Sequence, residues 1–302
     1  MEKLKIFSFS DIHVDINIQN ANKNESIKEK FIDGFKEYLN TLENIDIVIC
    51  AGDVSSNLQE IEKLLKLVTE NVDAKYYVFV PGNHDVWETE QKVDDGISRI
   101  KYEDYIPEVV SQTKFHYLPK NPLIIDDSVA IIGNIGWYDY SFRNKKWDCY
   151  LKEKMDWYYK KTINGSVWND VLFAGWGMND TEVVKYCIKD LEEDYEKIKH
   201  ISNKIAILHH IPFSKGIVYK NDINWDYFNA FMGSTYFGEK LIKWNIDTVV
   251  YGHTHIPHSY VINNCQVYCS TIGYHYEWDN KNLQKMFAQR TQLFDFKIDT
   301  KK

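Results

Sequence analysis

No apolar run in this 302-residue chain approaches the roughly 20 residues that span a bilayer, and no long hydrophobic segment follows Met1. A membrane span is therefore not expected, and a cytoplasmic location follows by default. Paired Cys-x-x-Cys spacing is also missing. The five cysteines, Cys50, Cys149, Cys187, Cys265 and Cys269, are odd in number, and Cys265 and Cys269 stand four apart without a second pair. Reduced thiols are the simplest account. Basic tracts are lacking too: 36 Lys and Arg face 44 Asp and Glu, a formal charge of −8 that offers nucleic acid no global attraction. Internal repeats and low-complexity linkers are absent. One domain over 1–302 is the economical reading, with an aromatic-rich, cap-like insertion at about 137–200.

What remains is ordinary globular composition, 44% hydrophobic and 26% charged, with aromatics at 15%. The first half alternates two periods. Leu4 to Phe9, Ile45 to Ala51 and Tyr76 to Val80 are short apolar runs of the kind found in buried strands. Between them, Glu25 to Leu42 carries Ile27, Phe31, Phe35, Tyr38 and Leu39 at helical spacing, and Leu58 to Val68 repeats the pattern. This order predicts a layered α/β sheet. A helical segment is expected around Gly96 to Val110, and a hairpin is expected where Leu123 to Ile125 and Val129 to Ile132 flank Asp126-Asp127. Gly136 to Gly177, dense in aromatics, resists assignment. Thr181 to Ile198 reads as a long helix, Ile205 to Leu208 and Asp247 to Tyr251 as strands, and Ser259 to Ile298 as short antiparallel strands.

Five of the strand ends carry one class of residue. Asp11-Ile12-His13, Gly52-Asp53, Gly82-Asn83-His84-Asp85, His209-His210 and Gly252-His253-Thr254-His255 each follow an apolar run directly. The carboxyl ends of parallel strands share one crevice, so segments far apart in sequence would deliver these groups to one place. Oxygen donors mixed with imidazoles, without thiolates, suit divalent Mn, Fe, Zn or Ni. Seven ligands are too many for one ion but fit two that share a carboxylate, an arrangement that clamps both the attacking and the leaving oxygen of a phosphoryl displacement. Each fragment alone has an ordinary reading as a turn; their joint occurrence in this order carries the inference.

As a set, these motifs resemble the signature of calcineurin-like metallophosphoesterases over residues 11–255. The resemblance implies a four-layer α/β/β/α sandwich of two mixed sheets flanked by helices. It implies a phosphoric ester hydrolase with two divalent ions, Mn²⁺ first, with Fe, Zn or Ni as alternatives. Asp11, His13 and His255 would hold one ion, Asn83, His209 and His253 the other, and Asp53 would bridge them. A metal-bridging hydroxide would attack phosphorus, while His84 would contact a phosphate oxygen or protonate the leaving group. Asp85 would orient a histidine or serve the turn. Of the adjacent pair His209-His210, only one ring can face the metals, and His209 is favoured over His210.

Departures narrow the substrate. Gly52-Asp53-Val54-Ser55-Ser56 lacks the Asp-Arg-Gly continuation of the Ser/Thr protein phosphatases, and Ser56 stands where purple acid phosphatases carry tyrosine. A small phosphorylated substrate is expected, a phosphodiester, a phosphomonoester or a nucleotide pyrophosphate, with nucleic acid disfavoured. The alternatives are a non-catalytic metal-binding scaffold and a nuclease subunit. His116, His200 and His258 read as surface or structural. His275, in Gly273-Tyr274-His275-Tyr276-Glu277, reads as packing with an outside chance of approaching the pocket. Trp137, Tyr140 and Arg143 are candidates for substrate selection or, equally, for packing.

Overall fold

Why the strands carry apolar residues on both faces becomes plain in a computed structural model of the chain, which describes residues 3–19, 25–148, 156–279 and 282–299. In chain order the strands are β1 (Lys3–Phe9), β2 (Ile45–Cys50), β3 (Ala74–Phe79), β4 (His116–Tyr117), β5 (Leu123–Ile125), β6 (Val129–Asn134), β7 (Thr162–Ile163), β8 (Ser166–Val167), β9 (Asn203–Leu208), β10 (Thr248–Tyr251), β11 (His258–Ile262), β12 (Cys265–Cys269) and β13 (Gln292–Lys297). One sheet has the order β13-β1-β2-β3-β4, parallel apart from β13. The other has the order β11-β12-β10-β9-β6-β5, with a parallel centre and antiparallel edges β11 and β5.

Successive side chains on a strand point to opposite faces, and here both faces are dry. Ile6, Ile47, Ile49 and Val78 of the first sheet meet Val129, Ile131, Ile205, Ile207 and Val250 of the second in an inter-sheet core. Their neighbours turn outward onto helices. Phe9 packs edge-on against Phe35 of the helix Glu25–Leu39, and the helix Leu58–Asn71 buries Ile61, Leu64, Leu65 and Val68 in the same cluster. On the second sheet, Asn134 of β6 bonds the Cys187 carbonyl of the helix Asp180–Ile198, which starts in an Asn179/Glu182 capping box. Two mixed sheets between helices make the expected four-layer α/β sandwich.

The β5–β6 hairpin forms, pairing Leu123 with Ile131. The tail differs from expectation. β11 and β12 are antiparallel, but β12 runs parallel to β10, and the helix Leu283–Arg290 separates it from β13. Eight residues contain barely two turns, too few for a 3.6-residue period to stand out. The segment 137–177 resolves into small elements: helix Asp156–Lys160, hairpin β7–β8 and helix Asp170–Phe173. Residues 149–155, including Cys149, lie outside the described residues, as do the side chains of Ile27 and Trp157. The four described cysteines are free and buried. No described helix is long and apolar enough to cross a membrane.

Candidate metal centre

Main-chain bonds tie the loop after β1 to that after β2, and the loop after β9 to that after β10. Asp11 N–H donates to the Gly52 carbonyl, His13 N–H to that of Asp53, Gly252 N–H to that of His209 and Gly273 N–H to that of Asp11. Asp85 accepts from the N–H groups of Gly82, Asp53, Val54 and Ser55. It therefore joins the second and third loops and contacts no histidine ring in doing so. Burial and the nearby Asp53 push its carboxyl up to about 7, against four donors that favour its charged form.

Five of the seven predicted ligands have left-handed backbones: φ is 52° at Asp11, 40° at His13, 55° at Asp53, 69° at His253 and 53° at His255. Each such residue costs on the order of 1–3 kcal/mol and persists where the surroundings over-determine it, typically at functional sites. The intervening glycines make room. A Cβ on Gly82 would strike the Asp53 carboxylate and lie 2.7 Å from the His209 ring, and one on Gly52, at φ 90°, would lie 2.8 Å from the Pro81 carbonyl carbon.

The side chains converge. His13 Nε2 lies 3.0 Å from His255 Nε2, and Asp11 Oδ1 lies 3.4 Å from the latter. His209 Nε2 lies 3.2 Å from His253 Nδ1 and 3.1 Å from Asn83 Oδ1. Asp53 stands between the two groups, its Oδ2 being 3.3 Å from His209 Nε2 and 3.7 Å from His13 Nε2. Donor atoms of Asp11, His13 and His255 lie within 4.8 Å of one another, as do those of Asp53, His209 and His253, and those of His13, Asp53 and His84. Converging lone pairs of carboxylate, carboxamide and imidazole fit divalent transition ions.

Burial disfavours charge on all of these groups, and their neighbours then sort them. Against burial, the hydrogen bond from His255 and the charges of His209, His255 and His13 hold Asp11 below the usual carboxylate range; His209 does the same for Asp53. His209 is raised to about 9 by Asp53, and His255 to about 10 by Asp11 and Glu277, again against burial. Burial keeps His13, His84 and His210 well below their ordinary value, and burial with His209 takes His253 to about 3.

Sequence reasoning missed the supporting residues. Glu277 accepts from His255 Nδ1 at 2.8 Å and fixes that ring. Tyr274 packs against His13 and His255, and its hydroxyl lies 3.4 Å from His84 Nε2. The Gly-Tyr-x-x-Glu stretch thus reaches the site through Tyr274 and Glu277, while His275 itself is exposed. Trp87 stacks on His84 at 3.5 Å between ring centres. Asp170, fully buried, accepts from Asn83 Nδ2 (2.9 Å), Trp87 Nε1 (2.6 Å), Trp168 Nε1 (2.7 Å) and the Tyr138 hydroxyl (2.9 Å). Its four donors come from three separate stretches of chain, which no local pattern reveals.

The remaining candidates fall elsewhere. His210 turns from the cluster of donor atoms; its Nδ1 bonds the Ile135 carbonyl, and its ring lies against Trp137 and His253. His116 bonds the Asn121 carbonyl and His258 the Tyr251 hydroxyl, and His200 is exposed. Trp137 and Tyr140 are core residues that bond Asp180, and Arg143 pairs with Asp148; none of the three lines the cavity beside the centre. That cavity, about 650 Å³, reaches Asp53, Asn83, His84, His253 and His255 at one end.

Comparison with known proteins places the fold and the family. The family model for calcineurin-like phosphoesterases matches residues 4–257. An uncharacterised protein of Acanthamoeba polyphaga mimivirus is 23% identical over 239 residues, 76% of this chain and 79% of that protein. The crystal structure of phosphopantetheinyl hydrolase from Mycobacterium tuberculosis has a similar fold, with a TM-score of 0.67 at 18% identity, covering 99% of this chain and 98% of that one. The chain belongs to the calcineurin-like phosphoesterase family and is a phosphoric ester hydrolase.

Proposed function

We propose that the protein hydrolyses a phosphoester bond of a small molecule at a dinuclear divalent metal centre. The observation that carries this reading is the position of Asp53 between two donor groups, one of Asp11, His13 and His255 and one of Asn83, His209 and His253. Asp53 would be shared by the two ions. When bound, two such ions, Mn²⁺ first and Fe, Zn or Ni otherwise, acidify a water and neutralise charge on the phosphoryl oxygens.

The chain's own residues do the rest. Glu277 holds the His255 ring and Asp170 the Asn83 amide, so each donor faces the cluster before any ion arrives. His84, which lines the cavity, is stacked on Trp87 and lies 3.4 Å from the Tyr274 hydroxyl. Its ring N–H would donate a hydrogen bond to a phosphoryl oxygen or, when the ring is protonated, a proton to the leaving oxygen. The chain is read as one domain with a cap-like insertion in 137–200, of which β8 and Trp168 border the cavity while the helix Asp180–Ile198 packs on the second sheet. Free thiols are consistent with a cytoplasmic setting.

The test is hydrolysis of bis-p-nitrophenyl phosphate and p-nitrophenyl phosphate by metal-stripped protein, with and without Mn²⁺. Turnover that needs the ion and is lost in Asp53→Asn is the expected result, with His84→Ala slowed about 10²–10⁴-fold. Folded, metal-loaded protein that cleaves neither ester under any divalent ion would overturn the reading.

A further inference from the structure

The cavity that meets the centre is much larger than a phosphoryl group requires, and its lining says what fills the remainder. Its walls are Trp168, Ile211, Val218, Trp225, Phe228 and Met232, delivered by the hairpin β7–β8 on one side and the loops after β9 on the other. Among the described residues, no Lys or Arg lines it; the charged groups along it, beyond Asp53, are the acids Asp222 and Glu277. At its mouth Val167, Val218, Trp225 and Ile256 stand 38–40% exposed, an amount of apolar surface that a solvated rim would not collect by chance. A pocket of this size buries most of a drug-sized ligand.

Two consequences follow. An apolar arm leaving water for this groove gains binding in proportion to the area it hides. A second phosphate, carboxylate or sulfonate on that arm would enter a largely apolar channel whose lining holds two further carboxylates and no lysine or arginine, Lys220 being stacked on the Trp225 ring without lining the cavity, an unfavourable transfer. Resting on the hydrolase reading above, we infer that the substrate is a phosphoester with a single phosphate whose other substituent is an uncharged, largely apolar chain lying along Trp168, Trp225 and Phe228. Nucleoside polyphosphates and other multiply charged esters are disfavoured by the same walls. Asn229 at the cavity wall, whose amide donates to the Val218 carbonyl, keeps a carbonyl oxygen for a hydroxyl or amide on the arm.

The probes are methyl(n-alkyl)phosphinates, singly charged and without an ester bond to cleave, with methyl, butyl and octyl chains, together with a butyl analogue ending in a sulfonate. Kd on the Mn²⁺-loaded protein is read from tryptophan fluorescence, since three of the lining residues are tryptophans, and Ki from inhibition of bis-p-nitrophenyl phosphate hydrolysis. Kd is expected to fall about tenfold or more from methyl to butyl, further to octyl, with the sulfonate cancelling the butyl gain. Phe228→Ala should flatten the series, as should Val218→Ser if the larger truncation unfolds. A flat series, or a sulfonate that binds as well as butyl, overturns the inference, and if bis-p-nitrophenyl phosphate is still cleaved, it falls alone. A steep series in folded, metal-loaded protein that cleaves no ester keeps the groove assignment and removes the hydrolase reading instead.

Discussion

Asp170 receives two indole N–H groups, a phenol and the Asn83 amide in a setting closed to water, so its carboxylate decides which way Asn83 turns its oxygen. Asp170→Asn sets an NH₂ group against those donors. Metal affinity is expected to fall roughly 10–100-fold, as for other supports of metal ligands, read by titration calorimetry on protein with unchanged near-ultraviolet dichroism. Unchanged affinity would reduce Asp170 to a packing residue. The histidines make a second prediction. With His209 raised to about 9 and His255 to about 10, both rings hold protons at pH 7 that a metal must displace. Affinity should therefore rise with pH toward 9–10, and loading at pH 7 should release about two protons. Calorimetry in two buffers of different ionisation enthalpy counts them; no release would show that these rings enter the site already neutral.

Among the elements, the strands do two jobs, and mutations separate them. Ile207 of β9 is fully buried in the inter-sheet core, and Ile207→Ala should lower stability by about 2–5 kcal/mol in urea unfolding. Val261 on edge strand β11 is 48% exposed, and Val261→Ala should fall within about 0.5 kcal/mol of the parent. The same strands made the sequence legible. β1, β2, β3, β9 and β10 are runs of β-branched and aromatic residues, each followed at once by a chemically distinctive loop, so both strand and site could be read together. Helix Leu283–Arg290 and hairpin β7–β8 were not legible, because eight and four residues cannot display a period. Trp87 and Asp170 were invisible for another reason. Their roles rest on partners as far apart as Asn83 and Asp170, a relation set by the closed sandwich and not by any local spacing. The aromatics around Trp137 and Tyr140 admitted substrate selection or packing from sequence, and their burial against Asp180 favours packing.

At the scale of the whole molecule, two stacked sheets bring their carboxyl-terminal loops to one edge, and an acidic chain gathers five of its ten histidines there as the proposed ligands and proton donor. Beside them the cavity is largely apolar and lined by no lysine or arginine among the described residues, so in the proposed function the charge of a bound phosphate would be met mainly by ions held on Asp11, Asp53 and their imidazoles. That dependence is the centre of the account, and electron paramagnetic resonance of the Mn²⁺-loaded protein tests it most directly. The account predicts two ions per chain with the spectrum of an exchange-coupled pair, reduced in Asp53→Asn to uncoupled or partial loading. One ion per chain at saturation, or two that remain magnetically independent in the parent protein, would contradict it.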